Sequence, residues 1–225
     1  MNNIFDRSLG LFGEDNFNLI QEKVIAIFGL GGVGGTALEA LARTGFKHFI
    51  LVDFDKVDIT NLNRQILYTA KDIDRNKVDV AKERILAINA EADVQIYSTK
   101  AQEFDFNQKI DFIVDAIDDV SGKLYLLSKA QEKDIPYIMS LGMANRFDPS
   151  KVKIAKLNQT HSDPLAKKIR YTVKKQGLNT GGVPVVISEE LPQKNGEKLY
   201  STMMVPSAAG LLLAKYILET IINNK

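Results

Sequence analysis

The sequence predicts an α/β fold, a Rossmann-like, doubly wound and mainly parallel sheet with an elaborated C-terminal third. An apolar run, residues 24–28, leads directly into the glycine-rich turn of residues 29–34. Strand-like and helical patterns then alternate in the order β-α-β-α-β-β-α-β. Acidic residues follow two of the strands, at Asp53 and Asp118. Because ligands of such sheets bind beyond the carboxyl ends of the strands, one crevice can hold the turn and both acids.

Each element of the first 142 residues is predicted by the spacing of its apolar side chains. Residues 4–21 carry scattered apolar positions and predict one or two short helices. The helix after the glycine turn ends at Gly45, a C-terminal stop. The next helix begins near Asn76, a candidate N-cap, where apolar residues recur at intervals of three and four. Further strands are predicted at residues 49–52, 94–97, 110–116 and 136–140, and a further helix at residues 121–134.

The last third of the chain changes character. Residues 152–157 alternate basic and apolar side chains, as an exposed edge strand does. A helix starts at Asp163-Pro164, with the proline in its first turn and Leu165, Ile169 and Val173 on its buried side. A strand at residues 183–187, a turn at residues 193–196 and a closing helix at residues 207–223 complete the chain.

Composition limits the function classes. The chain has 225 residues, of which 45% are hydrophobic and 25% charged, as in ordinary soluble proteins. Its net charge is +1, yet residues 146–180 hold nine basic and two acidic residues, an uneven distribution that suggests a polyanionic partner. The absence of cysteine excludes disulfides, thiolate nucleophiles and cysteine-ligated zinc. We expect a cytoplasmic protein without membrane contact, since the first residues lack a signal-peptide pattern and residues 203–222 favour a buried helix.

The glycine turn predicts nucleotide binding. Its residues Gly29, Gly31, Gly32 and Gly34 would let backbone amides and a helix N-terminus approach phosphate closely. Asp53, 24 positions beyond Gly29, would accept hydrogen bonds from ribose hydroxyls. A glycine turn followed by an acidic residue at this spacing also fits the binding of NAD.

Two further groups favour phosphoryl chemistry. Arg64-Gln65 and Lys77 could stabilise charge that builds on phosphoryl oxygens, which a nicotinamide dehydrogenase does not need. Lys77 would lie at a helix N-terminus, where the macrodipole disfavours a cation, although ordinary surface charge explains these residues equally well. Asp118 could hold Mg²⁺ together with phosphate, with Asp115 and Asp119 as neighbours able to share that role or to favour the following helix.

Together these motifs resemble the E1-like adenylating enzymes, which transfer AMP from ATP to a carboxylate. The resemblance rests on residues 29–34, 53–55, 60–65, Lys77 and 115–118. Within that superfamily the chain is most similar to the tRNA threonylcarbamoyladenosine dehydratases, through residues 5–14, 160–166 with Arg170, 185–192 and 205–211. The resemblance therefore spans nearly the whole chain, and residues 1–225 are expected to form one adenylation domain. Its nucleotide-binding core would be residues 1–145, and residues 146–225 would serve substrate and tRNA binding and dimerisation.

The resemblance implies a reaction and its residues. ATP would adenylate the carboxylate of threonylcarbamoyladenosine in tRNA, and ring closure would expel AMP. Implied contacts are Gly32, Asp53 and Asp55 for ATP, Asn61, Arg64 and Gln65 for its phosphates, Lys77 for the transition state and Asp118 for Mg²⁺. Arg7 resembles an arginine that relatives insert into the partner subunit, which implies a homodimer, and a sulfur-handling protein partner is left open.

Departures from the family sharpen this expectation. Position 35 is Gly where Ser is common. Branches that activate ubiquitin-like or sulfur-carrier proteins usually use a cysteine and often a zinc site, and this chain can form neither. The absence of cysteine therefore favours chemistry that stops at an acyl-adenylate, with no zinc.

Several alternatives stay open from the sequence. His48 and His161 are expected to be structural, and the helix face of Lys167, Arg170 and Lys174 is either a solvated surface or a tRNA contact. The protein could instead adenylate the C-terminus of a sulfur-carrier or ubiquitin-like protein. An NAD-dependent oxidoreductase and an ATP-binding scaffold without catalysis are the remaining alternatives.

Overall fold

The computed structural model describes residues 4–161, 164–175, 177–179, 181–193 and 198–223. The strands are β1 (Val24–Phe28), β2 (His48–Val52), β3 (Asp93–Tyr97), β4 (Phe112–Asp115), β5 (Tyr137–Ser140), β6 (Val152–Lys156) and β7 (Pro184–Ser188). The helices are α1 (Asp6–Phe12), α2 (Glu14–Gln21), α3 (Gly32–Thr44), α4 (Lys77–Ile88), α5 (Val120–Glu132), α6 (Pro164–Lys175) and α7 (Met204–Asn223).

All seven strands form one sheet in the order β3-β2-β1-β4-β5-β7-β6. Every pairing is parallel except β6 with β7, which is antiparallel. The predicted doubly wound, mainly parallel sheet is confirmed, and β6 lies at an edge as its alternating pattern indicated. The sheet runs without interruption from the first strand into the C-terminal third.

Helices cover the sheet on both faces and bury it. Because successive side chains of a strand point in opposite directions, each strand contributes to the core on both sides. Ile25 and Ile27 of β1 pack with residues of α2, α3, α4 and α7. Ala26 and Phe28 pack with residues of α5 and α6 on the other face. The predicted stop at Gly45 is also confirmed, since it has φ 122° and ends α3 against the ring of Phe17.

Helix α7 belongs to the core. In the described part of the chain it is the one helix with the length and hydropathy of a membrane span. It nevertheless lies so close to α3 that a β-carbon at Gly210 would be 2.4 Å from the Val33 carbonyl oxygen. The helix begins at Met204, three residues before the predicted start, because the first turn of a helix tolerates Pro206. Its buried residues are Val205, Pro206, Ala209, Gly210, Leu213, Ala214, Ile217 and Ile221.

Two local predictions differ from the structure. Asn76 occupies the N-cap position of α4, but its side chain donates to Asp79 at 2.8 Å and does not cap the helix. The strand predicted at residues 110–116 ends at Asp115, whose carboxylate accepts the Ile117 amide at 3.3 Å and turns the chain. The Pro164 start of α6 agrees with the prediction. Asp163 and most of the turn predicted at residues 193–196 lie outside the described residues.

Candidate active site

A cleft of about 1300 Å³ opens at the carboxyl ends of β1, β2, β4 and β5. It brings together most of the residues that the sequence singled out. These are Gly29, Gly31, Gly32, Asp53, Asp55, Asn61, Arg64, Gln65, Lys77 and Asp118. Gly34 lies beneath the loop, next to the Gly29 carbonyl. Arg7, Lys167, Arg170 and Lys174 do not line the cleft.

The glycine loop forms one end of the cleft. Gly29 has φ 88°, a conformation that favours glycine, and its amide donates to the Val52 carbonyl at 2.9 Å. The Leu30 amide donates to Asp53 Oδ2 at 2.6 Å. Helix α3 then begins at Gly32, so its first amides face the cleft without acceptors inside the helix. Such an N-terminus attracts phosphate.

We expect Gly34→Ala to disrupt this loop and Gly31→Ala to leave it intact. A β-carbon at position 34 would lie 1.9 Å from the Gly29 carbonyl oxygen, whereas at position 31 the nearest atom, Gln65 Nε2, is 3.8 Å away. Because the obstacle is backbone, Gly34→Ala should lower the free energy of unfolding by about 1–3 kcal/mol or more. Gly31→Ala should change it by less than about 0.5 kcal/mol. Denaturant titration measures both, and equal stabilities would contradict the geometry.

Asp53 is held at the carboxyl end of β2 by two backbone amides. Its Oδ2 accepts from Leu30, and its Oδ1 accepts from Asp55 N at 2.9 Å. Burial raises the pKa of Asp53, while Lys77 and the two amides act in the opposite direction. The carboxylate thus fixes the loop to the strand end and lines the cleft beside it.

Lys77 is a buried lysine, which rules out the ordinary surface charge that the sequence allowed. Its side chain is 6% exposed, and its Nζ lies 2.7 Å from Asp55 Oδ2. Helix α4 begins at this residue, so the ammonium group faces the cleft from the helix N-terminus. Asp55 is 49% exposed and supplies the charge that makes this position acceptable.

The segment after β2 brings five polar side chains to the cleft, from Thr60, Asn61, Asn63, Arg64 and Gln65. Arg64 Nη1 donates to the Thr60 carbonyl at 2.8 Å and to Asn63 Oδ1 at 2.9 Å, which aligns the guanidinium along the cleft wall. Gln65 is buried, and among the described residues nothing donates to its Oε1. A buried acceptor without a donor costs about 1–3 kcal/mol, so a ligand hydroxyl or amino group fits there.

The three acids near the end of β4 have different environments. Asp115 is fully buried, where it pairs with Lys123 Nζ at 2.7 Å and accepts from the Tyr137 hydroxyl at 2.5 Å. Asp119 is the N-cap of α5 and accepts from the Gly122 amide at 2.7 Å. Hydrogen bonds from Ser121 and Gly122 lower the pKa of Asp119. Asp118 is exposed to the cleft and has no hydrogen-bond partner among the described residues.

This arrangement fits one phosphate-bound Mg²⁺ and does not fit a metal cage built from protein alone. Among the described residues no group of three or more metal-ligating side chains occurs. Mg²⁺ commonly binds through one or two carboxylates together with substrate phosphates and water. Asp118 could supply that single carboxylate, because Asp115 and Asp119 are already engaged.

The other predicted residues lie on the surface. Arg7 is exposed on α1, and Lys167 and Lys174 are exposed on α6. Arg170 does not share their solvent face, because it is half-buried and its guanidinium donates to the Thr160 hydroxyl. The predicted buried side of α6 is formed by Ala166, Ile169 and Val173, with Leu165 only half-buried.

The two histidines have no ligand-like surroundings. His48 Nδ1 lies 3.4 Å from Asp93 Oδ2, at the amino ends of β2 and β3, and His161 is exposed.

Sequence reasoning missed Phe54 and Lys100 of the cleft and the buried Lys123. The Phe54 ring is 58% exposed next to Asp53, and the Lys100 Nζ lies 5.7 Å from its centroid. Both line the cleft on the side of β2. An aromatic residue between two acids at a strand end could have indicated this, whereas Lys123 carries no local signal.

Comparison with known proteins gives consistent matches. The ThiF family matches residues 5–224. A tRNA threonylcarbamoyladenosine dehydratase of Bacillus subtilis is 34% identical over 98% of this chain and 95% of its own length. Crystal structures of the Escherichia coli tRNA N6-threonylcarbamoyladenosine dehydratase with AMP and with ATP have a TM-score of 0.90 and 30% identity, and the match covers 98% of this chain and 94% of that one. A probable molybdopterin-synthase adenylyltransferase of Porphyra purpurea is 39% identical over 48% of this chain and 29% of its own length.

Proposed function

This chain belongs to the ThiF family of E1-like adenylating enzymes, and from that premise we propose that it dehydrates threonylcarbamoyladenosine in tRNA at the expense of ATP. The observation that carries the proposal is the shared cleft of the glycine loop, Arg64, Lys77 and Asp118. Two relatives that carry this activity in their names, from Bacillus subtilis and Escherichia coli, match 98% of this chain.

The chemistry follows from the charges in the cleft. The substrate carboxylate attacks the α-phosphorus of ATP, and pyrophosphate leaves. The buried Lys77 and Arg64 neutralise charge on the phosphoryl oxygens as that bond forms and the other breaks. A nucleophile of the same modification then attacks the acyl carbon and closes a ring. AMP departs with the carboxylate oxygen, so the nucleoside loses one water.

Asp118 would hold Mg²⁺, which would supply further positive charge to the phosphates. The glycine loop, Asp53 and Gln65 would bind the nucleotide, with Asp53 and Gln65 facing its hydroxyl and amino groups. Asp55 would orient Lys77, and Asn61 would contact the phosphates from the segment after β2.

A single-turnover assay tests this function. Purified protein, ATP, Mg²⁺ and tRNA carrying the linear modification should yield AMP, pyrophosphate and a nucleoside lighter by one water. Omission of tRNA should suppress AMP formation. Release of ADP, or an unchanged nucleoside mass, would refute the proposal.

We propose further that the protein acts as a homodimer in which Arg7 completes the partner's cleft. Arg7 is exposed on α1 and lies outside the cleft of its own chain. A mixture of Arg7→Ala and Lys77→Met proteins should therefore recover activity, because a mixed dimer contains one complete site. Refolding the two variants together and measuring AMP release checks this, with each variant alone as the control. If the mixture stays as inactive as its components, Arg7 does not act across subunits.

The exposed lysines of α6 are proposed to contact tRNA phosphates. Lys167 and Lys174 are exposed, and neither is paired with an acid among the described residues. Arg170 would act indirectly, since its hydrogen bond to Thr160 joins α6 to the preceding segment. We expect Lys174→Ala to weaken tRNA binding and to reduce the slope of log K against log salt by about 1. Lys71→Ala, at an exposed lysine away from α6, should leave the slope unchanged.

One alternative function keeps specific support. The similarity to a molybdopterin-synthase adenylyltransferase covers 48% of this chain and would fit adenylation of a carrier-protein C-terminus. ATP-dependent AMP formation with such a carrier, and none with tRNA, would favour it. The relatives solved with ATP and AMP make NAD the weaker candidate, and competition binding of ATP against NAD tests that directly.

We propose a cytoplasmic location, which a tRNA substrate supports. We also propose association with a sulfur-handling protein, which co-purification from cells can test.

A further inference from the structure

The cleft is larger than one nucleotide requires. Its volume of about 1300 Å³ exceeds the roughly 300–1,000 Å³ of typical small-molecule sites. Asp53 follows β2, the glycine loop follows β1 and Asp118 follows β4, so these residues occupy one side of the sheet order. The other side, next to β5, is lined by a second set of residues, which we call the second arm. They are Met143, Asn145, Leu165, Pro192, Leu199 and Tyr200.

The second arm has a rigid wall centred on Asn145. Its backbone has φ 59°, a left-handed conformation that asparagine tolerates better than most residues. The Asn145 amide donates to the Tyr200 carbonyl at 2.7 Å, and the Tyr200 amide donates back to Asn145 Oδ1 at 2.8 Å. The Gln193 amide donates to the Asn145 carbonyl at 2.8 Å. Three segments are thus fixed around one residue.

The chemistry of the second arm differs from that of the phosphate side. Its side chains are apolar or aromatic, apart from Asn145 and the neighbouring Arg146. The Arg146 guanidinium is engaged by carbonyl groups, including that of Glu190 at 2.9 Å. The arm therefore offers hydrophobic surface and backbone polar groups, and the part of a ligand that lies in it should be flat and uncharged.

Tyr200 is the aromatic residue of the second arm. It is 54% exposed, and the adjacent Leu199 is 79% exposed. Leu165, which also lines the cleft, belongs to the first turn of α6, whose solvent face carries Lys167, Lys168, Tyr171, Lys174 and Lys175. An apolar pocket next to an exposed basic helix suits a nucleic acid, because one base can lie in the pocket while the neighbouring phosphates lie along the helix.

We propose that the second arm binds one unstacked nucleoside of the RNA substrate, with Tyr200 as its stacking face. The inference rests on the proposed tRNA substrate and specifies where its modified nucleoside lies. An enzyme that modifies a base commonly draws it out of the stack, and aromatic side chains then replace the lost neighbours. The flanking phosphates leave the arm along α6.

The test compares Tyr200→Ala with Tyr200→Phe. Equilibrium binding of an anticodon stem-loop that carries the linear modification is measured at several salt concentrations. Loss of one stacked ring should weaken binding by about 10- to 100-fold in Tyr200→Ala, with ATP affinity and the salt slope unchanged. Tyr200→Phe keeps the aromatic ring and should bind the stem-loop with the same affinity as the wild-type protein. Leu199→Ala, at a more exposed position, serves as the second variant and should weaken binding less.

Four outcomes would overturn the inference. Tyr200→Ala could bind the stem-loop normally, it could lose affinity equally with Tyr200→Phe, or its molar mass in solution could change, which would assign Tyr200 to a subunit interface. A peptide that competes for the arm while the stem-loop does not would also overturn it. Because binding needs no turnover, failure of the proposed reaction would appear separately, as absence of AMP release in the unmodified protein.

Discussion

Lys77→Met is expected to lower turnover by about 10²- to 10³-fold while ATP affinity changes little. The ammonium group of Lys77 lies buried at the cleft and is paired with Asp55 at 2.7 Å before any ligand arrives. When ATP binds, any contact of the Lys77 ammonium with the nucleotide takes the place of its ion pair with Asp55, so little binding energy is gained. In the transition state, the same ammonium group interacts with negative charge that has newly formed on the phosphoryl oxygens. Only the second interaction affects the chemical step.

The measurement separates binding from chemistry. ATP affinity is obtained by equilibrium titration, and the chemical step by single-turnover AMP formation with modified tRNA. Lys82→Met, on the same helix but outside the cleft, is the matched control and should keep full turnover. Arg64→Ala should follow the pattern of Lys77→Met, because it lines the same wall. A loss of ATP affinity as large as the loss of turnover would mean that Lys77 binds substrate without favouring the transition state.

Lys123→Met is expected to lower the free energy of unfolding by about 3–5 kcal/mol. Lys123 and Asp115 are both fully buried, and the Lys123 ammonium also donates to the Ser140 carbonyl at 2.8 Å. Removal of the lysine leaves the Asp115 carboxylate in the protein interior without its counter-charge. The remaining donors, Tyr137 and Ile117, cannot neutralise it.

Denaturant unfolding measures this loss. Lys215→Met removes an ion pair with Glu219 whose partners are 54% and 51% exposed, and it should cost no more than about 0.5 kcal/mol. The double variant Lys123→Met with Asp115→Leu should recover part of the loss, since no charge then remains buried. If Lys123→Met and Lys215→Met are equally stable, the buried pair does not stabilise the end of β4.

The sequence was sufficient for the sheet and for most of the cleft, because both depend on local patterns. Parallel strands with apolar runs, a glycine turn and acids at strand ends appear within a few residues of one another. It was insufficient where a side chain's partner is distant in sequence. Lys123 looks like any helical lysine until Asp115 and the Ser140 carbonyl are placed around it. The spacing along the helix placed Arg170 on a basic face with Lys167 and Lys174. In the structure its guanidinium instead donates a hydrogen bond to the Thr160 hydroxyl, so it does not share that face.

The same limit applies to the choice among the three acids after β4. They are close neighbours in sequence with the same carboxyl group, and only packing distinguishes them. One lies in the core, one caps a helix and one faces the cleft.

The contact between α7 and α3 has a consequence for how the protein is made. A chain is synthesised from its N-terminus, so the glycine loop emerges early and α7 emerges after the other helices and strands of the described residues. Pro206 nevertheless lies against Gly32, and Gly210 fits against Val33. The glycine loop therefore completes its packing only when α7 docks, and we expect a chain that is truncated before Met204 to bind ATP more weakly than the full chain. Nucleotide affinity can thus report that synthesis of this region is complete.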